Sequence, residues 1–114
     1  MKSGEKLSPE VIIKMRAAIN DAEGQEILFT GQIPDNGLIE SVVIAARGND
    51  TAAPALYPFM LESDVVLHNH PSGLLKPSIA DLKIASSLGN QGIGFYIVNN
   101  VVTKIYCVSE AVEG

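Results

Sequence analysis

The fold of this chain is decided by one segment, VVLHNHPSG at residues 65–73. Residues 65–67 form a short apolar run of the kind found in buried central strands. This strand would end at His68 and His70, and the Pro-Ser-Gly sequence at 71–73 would then turn the chain. Because side chains alternate along a strand, the two imidazoles are expected on the same face.

A helix is predicted after this turn. Ser78 has the position of an N-cap residue, and apolar side chains follow it at helical spacing. The helix should stop at Gly89 or Gly92. A strand that leads into a helix N-terminus is where α/β folds usually place function. We expect the apolar residues of this helix to face the core: Ile79, Leu82, Ile84, Ala85 and Leu88.

The N-terminal half is predicted to form a helix followed by an antiparallel hairpin. A serine and then a proline at the first helical position start the helix, which should run from about Pro9 to Ala22. Residues 26–30 and 38–46 have the β-branched and apolar content of strands. The turn signal at 34–37 lies between them and predicts that the two strands pair.

The remaining segments complete a mixed sheet. A short helix is expected around Tyr57 to Leu61, and residues 95–98 and 101–108 should form a closing hairpin. The order of elements predicts an α/β fold on the border of α+β, with a mixed sheet of about five strands covered by helices. The length predicts a single domain over residues 1–114.

Composition argues against several classes of function. The 13 acidic and 8 basic side chains give a net charge of -5, and the cations are dispersed, so no direct nucleic-acid binding is expected from this domain. With Cys107 as the only cysteine, an intrachain disulfide and a thiolate-rich metal site are both impossible. The apolar runs are of strand length and the N-terminus has no apolar signal core, so we expect a cytoplasmic protein without a membrane segment.

Two histidines and one carboxylate are candidates for a metal site. His68 and His70 on one strand face could share an ion, and Asp81 in the first turn of the next helix could add a third ligand. Three protein ligands leave zinc a fourth position for water, which becomes reactive near pH 7. The alternative for Ser78 and Asp81 is a capping box, in which each side chain bonds the other's backbone.

Amide hydrolysis at such a site also needs a group that shuttles a proton, and a carboxylate is expected. Each candidate could instead be a solvated surface charge. Glu26 is favoured, because it opens an apolar strand after Gly24, where solvation explains a carboxylate less well. Spacing alone leaves the choice open among Glu23, Glu26, Glu40 and Glu62.

The sequence HNHP at residues 68–71, followed at the usual spacing by Ser78 and Asp81, resembles the His-x-His-Pro and Ser-x-x-Asp signature of the JAB/MPN metalloproteases, the JAMM motif. The asparagine and the Pro-Ser-Gly turn make it most similar to the bacterial RadC-like branch. Residues 24–31 resemble the upstream segment that carries the family's catalytic glutamate. The resemblance covers about residues 8–108.

The resemblance implies a compact fold like that of cytidine deaminases, with a catalytic zinc site. It implies that His68, His70 and Asp81 bind Zn2+, that Glu26 is the proton shuttle, and that Ser78 stabilises the oxyanion. Deamination itself is rejected, because zinc deaminases use a Pro-Cys-x-x-Cys motif that one cysteine cannot supply.

Two functions are open at this point. The first is a zinc metallopeptidase or isopeptidase that hydrolyses an amide bond of a protein or peptide, such as the tail of a ubiquitin-like or sulfur-carrier protein. The 114 residues leave little room for the insertions with which eukaryotic relatives grip ubiquitin, so ubiquitin itself is not expected as substrate. The alternative is a non-catalytic, zinc-bound RadC-like accessory or interaction module linked to DNA repair or processing.

Overall fold

The computed structural model describes residues 1–33, 37–47 and 60–111. A short 3-10 helix, Ser3–Glu5, precedes helix α1, Pro9–Asp21, and helix α2 is Ile79–Asn90. The five strands are β1 Ile27–Gln32, β2 Ser41–Arg47, β3 Val65–Asn69, β4 Gly94–Val98 and β5 Ile105–Ser109.

The strands form one mixed sheet in the order β2-β1-β3-β4-β5. Strand β1 is antiparallel to both β2 and β3, and β5 is antiparallel to β4. The central strands β3 and β4 are parallel and connected through α2, as parallel neighbours require. The predicted five-stranded mixed sheet and both predicted hairpins are therefore confirmed.

The core lies on both faces of the sheet. Buried residues of α1 pack with Phe29, Leu67 and Tyr96 on one face. Buried residues of α2 pack with Val66 and Phe95 on the other. Since neighbouring residues of a strand face opposite sides, His68 faces α2 and Asn69 faces α1.

Helix α1 begins and ends close to where it was predicted. Ser8 Oγ accepts a hydrogen bond from the backbone N–H of Val11 at 3.3 Å, which caps the first turn. Proline occupies the first helical position, and Ala22 is the C-cap. Gly24 then turns the chain toward β1 with φ +80°, a left-handed conformation that glycine adopts without steric cost.

The inner face of α2 was predicted incorrectly at two positions. Ile79 and Leu82 are 76% and 52% exposed. The residues that α2 buries are Asp81, Ala85 and Leu88, spaced four and three residues apart along one face. A buried carboxylate therefore sets the rotation of this helix, and a pattern read from apolar residues alone misplaces its inner face.

Some element boundaries also differ from the prediction. Helix α2 passes through Gly89 and ends at Asn90. Strand β5 begins at Ile105, four residues later than predicted, because Asn99 Oδ1 accepts hydrogen bonds from the backbone of Thr103 and Lys104 and holds the preceding residues in a turn. The helix predicted around Tyr57 lies largely outside the described residues. Among the described residues, no helix has the length and apolar character needed to cross a membrane.

Candidate metal centre

Strand β3 ends at Asn69, one residue earlier than predicted, and His68 in the strand and His70 just after it both face α2. His68 is 2% exposed, and its ring stacks on Phe95 with the centroids 4.7 Å apart. Its Nδ1 lies 3.1 Å from the carbonyl oxygen of Tyr96. A carbonyl can only accept a hydrogen bond, so Nδ1 carries the hydrogen, and Nε2 is the nitrogen that faces the candidate site. The rings of His68 and His70 meet edge to face at 5.0 Å.

Asp81 joins both imidazoles to helix α2. Its Oδ1 lies 2.9 Å from Nε2 of His68, and its Oδ2 lies 3.0 Å from Nε2 of His70. The same Oδ2 accepts a hydrogen bond from the Ser78 backbone N–H at 2.9 Å, and Ser78 Oγ accepts one from Asp81 N–H at 3.1 Å. The capping box is therefore real, and its carboxylate also reaches the histidines.

The electrostatics of this cluster favour an ionised carboxylate. Burial alone would raise the pKa of Asp81, but the hydrogen bonds from His68 and the Ser78 backbone and the charges of the imidazoles outweigh it. The pKa of Asp81 is lowered from its ordinary value of 3.8 to about 2. A carboxylate that is charged at neutral pH suits a metal ligand.

A second carboxylate approaches from β1. In the antiparallel pairing of β1 with β3, Leu28 stands opposite His68, so Glu26 lies beside the end of β3. Ligand atoms of Glu26, His68 and His70 all lie within 4.8 Å of one another. Of the four glutamates considered above, Glu26 is the one that the described structure brings to the histidines; the other three are exposed.

The residues present fit a metal ion. Nε2 of His70 is buried and makes no hydrogen bond with any described residue, although Asp81 Oδ2 is only 3.0 Å away. Two ligands of a tetrahedral zinc with bonds of about 2.0–2.1 Å stand about 3.3 Å apart, close to these nitrogen–oxygen separations. A nitrogen and an oxygen this near without an aligned hydrogen are the arrangement expected of two ligands that share a cation. The cluster could therefore hold a metal ion.

Two further residues lie next to this cluster in the sequence: Ser78, which was predicted as a site residue, and Asn69, to which the sequence analysis gave no role. Ser78 is an exposed residue and serves as the N-cap of α2; its predicted contact with an oxyanion stays a prediction. Asn69, which stands between the two histidines in the sequence, is fully buried. An amide in a central apolar strand is uncommon, and this signal could have identified it.

A scan against protein-family models finds no match to this chain, and neither does a search of curated proteins. The JAB/MPN resemblance thus depends on the sequence motif alone.

Proposed function

We propose that this chain is a zinc-dependent hydrolase of amide bonds, a metallopeptidase or isopeptidase of the JAB/MPN type. One observation carries the proposal. At one end of the sheet, the carboxylate of Asp81 contacts the Nε2 atoms of both His68 and His70, and the carboxylate of Glu26 lies within 4.8 Å of the imidazole nitrogens.

His68, His70 and Asp81 would hold the metal. Imidazole nitrogens favour zinc over calcium or magnesium, which prefer oxygen ligands. A zinc ion held there supplies Lewis acidity, which makes water a usable nucleophile at neutral pH. Backbone hydrogen bonds orient two of these ligands, because the Tyr96 carbonyl fixes the His68 ring and the Ser78 N–H fixes the Asp81 carboxylate.

Glu26 and Ser78 would act on the substrate. The Glu26 carboxylate accepts a proton from the attacking water and returns it to the leaving amine, the two transfers that amide hydrolysis requires. Ser78 stands at the N-terminus of α2, where the helix dipole favours negative charge. Its hydroxyl would donate a hydrogen bond to the carbonyl oxygen of the substrate amide as that oxygen becomes negative.

The surroundings of the cluster suit a peptide substrate. Leu74 lies on the loop between His70 and Ser78, and Ile79 and Leu82 lie on the first turn of α2, and all three are large exposed apolar side chains. Exposed apolar groups beside a reaction centre provide contacts for an extended chain. We propose a protein or peptide amide as substrate, such as the tail of a ubiquitin-like or sulfur-carrier protein.

A second candidate function follows from the double role of Asp81. Because Asp81 caps α2 and contacts His68 in β3 and His70 directly after it, a metal ion there would also tie the helix to the central strand. This observation favours a structural zinc in a non-catalytic, RadC-like accessory module linked to DNA processing.

Peptide hydrolysis by zinc-loaded protein separates the two candidates. The assay uses a library of ubiquitin-like C-terminal peptides with a cleavable amide. Glu26→Gln should keep the zinc and lose about 10²–10⁴-fold in rate. Glu23→Gln, which changes an exposed carboxylate three residues earlier, is the matched control and should cleave like wild type.

The opposite outcomes are also defined. Cleavage by a zinc-loaded Glu26→Gln protein at the wild-type rate contradicts the role of Glu26. A protein that binds zinc, loses stability when zinc is removed and cleaves no member of the library supports the structural alternative.

A further inference from the structure

Asn69 makes a set of hydrogen bonds on the side of the sheet opposite to the histidines. It is 0% exposed. Its Oδ1 accepts from the backbone N–H of Ile27 at 2.8 Å. Its Nδ2 donates to the carbonyl oxygen of Gln25 at 3.2 Å and to Oδ1 of Asn100 at 2.8 Å. The acceptor and both donors of this amide are therefore satisfied.

These bonds continue the pairing of β1 with β3 where the backbone ladder stops. The register of the two strands ends with Leu28 opposite His68. Beyond that point, the Asn69 side chain acts as a peptide group and bonds Gln25 and Ile27, the two residues that flank Glu26. One side chain therefore holds the backbone on both sides of the Glu26 carboxylate.

Asn100 extends the same connection to the turn after β3. Its Nδ2 donates to the carbonyl oxygen of Pro71 at 3.2 Å. Two glycines with left-handed φ approach it closely: a Cβ would lie 3.7 Å from its Nδ2 at Gly24 and 3.4 Å at Gly73. The turn before β1 and the turn after β3 therefore both pack against the hydrogen-bonded pair of Asn69 and Asn100.

We propose that Asn69 is a positioning residue, which fixes the Glu26 carboxylate relative to the imidazoles of His68 and His70. The proposal rests on the proposed function, because it assigns Glu26 a task beside the metal. Within the described residues, the Asn69 amide bonds Ile27, Gln25 and Asn100 and not the candidate ligands, so it works through the backbone. Removing it should displace Glu26 and leave the ligands in place, which distinguishes it from a ligand.

Cobalt(II) is a suitable probe, because its visible absorption responds to the groups around the metal and needs no substrate. The experiment compares wild type, Glu26→Gln, Asn69→Ala and the double variant, each loaded with cobalt. Asn99→Ala is the matched control: Asn99 is also hydrogen-bonded to backbone, but within residues 99–104 and not to the Glu26 segment.

We expect Glu26→Gln to alter the cobalt bands, Asn69→Ala to alter them in the same direction, and the double variant to show no further change. Cobalt affinity should be retained throughout, and Asn99→Ala should match wild type. With a cleavable peptide, Asn69→Ala should lower kcat by about 10–100-fold and leave KM unchanged. On the Glu26→Gln background the same change should have no further effect, which a general loss of folding would not reproduce.

The other possible results contradict either the proposed function or the role of Asn69. Wild type that binds no cobalt overturns the proposed function itself. Cobalt bands unchanged by Glu26→Gln remove Glu26 from the metal and overturn both proposals. Bands changed by Glu26→Gln but not by Asn69→Ala overturn only the role of Asn69. If Asn69→Ala does not fold, Asn100→Ala, at a half-buried position, must alter the bands in the same direction, and an unchanged spectrum overturns the proposal.

Discussion

The substitution Asp81→Asn in metal-free protein tests the geometry of the cluster without any assumption about activity. It removes the charge, keeps nearly the same volume, and leaves an acceptor for the Ser78 backbone N–H. The pKa of Asp81 is lowered from 3.8 to about 2, which corresponds to about 2 kcal/mol of stability from the ionised carboxylate. In a domain of this size, a loss of that amount lowers Tm by about 10 °C.

The pH dependence follows from the same shift. A carboxylate with a depressed folded-state pKa contributes its full stabilisation above the unfolded value of 3.8 and loses it as the pH falls through about 2. Wild type should therefore exceed Asp81→Asn by about 2 kcal/mol at pH 7, and the difference should diminish between about pH 4 and pH 2.

Urea unfolding of chelator-treated protein at pH 7, 4 and 2 measures this difference. Asp21→Asn, an exposed carboxylate at the end of α1, is the control and should change stability by less than about 0.5 kcal/mol. Equal stability of wild type and Asp81→Asn at pH 7 would refute the argument, and so would a difference that persists undiminished at pH 2.

Three further predictions follow from burial and contacts. In zinc titrations His70→Ala should lose far more affinity than Asn69→Ala, because residue 69 faces away from the cluster; equal losses would contradict the strand geometry. Leu88→Ala should cost about 2–5 kcal/mol in urea unfolding, whereas Leu82→Ala, at a half-exposed site, should stay within about 0.5 kcal/mol. Burial raises the pKa of Cys107 to about 11, so iodoacetamide at pH 8 should label the folded protein roughly 100-fold more slowly than the urea-unfolded chain; similar rates would contradict the burial.

Much of the fold could be predicted from short local signals. The apolar run before His68, the Pro-Ser-Gly turn and the cap at Ser78 each act over a few residues, so a sequence pattern is enough to detect them. The same locality explains why the order and type of the strand, turn and helix around the histidines and Asp81 were predicted correctly.

What the sequence could not supply depends on contacts between distant residues. The rotation of α2 follows from Asp81, whose partners lie at the end of β3 and directly after it. A hydrophobic pattern does not detect a polar residue on the inner face of a helix. The start of β5 depends on Asn99, whose side chain keeps apolar residues 101 and 102 in a turn.

Glu26 and Asn69 illustrate the same point for the candidate site. Glu26 reaches the histidines through the register of β1 with β3, which spacing along the chain does not reveal. Asn69 bonds residues 25, 27 and 100. Its role could emerge only once those segments were placed together.

The zinc content of four proteins purified without chelator or added metal tests the central claim most directly. The account predicts about one zinc per chain in wild type and in Glu26→Gln, and almost none in His70→Ala and Asp81→Asn, because we propose the two histidines and Asp81 as the ligands and Glu26 as the proton shuttle. A wild type that contains no zinc and binds none when it is added would contradict the account, as would a Glu26→Gln protein that loses its zinc as completely as Asp81→Asn.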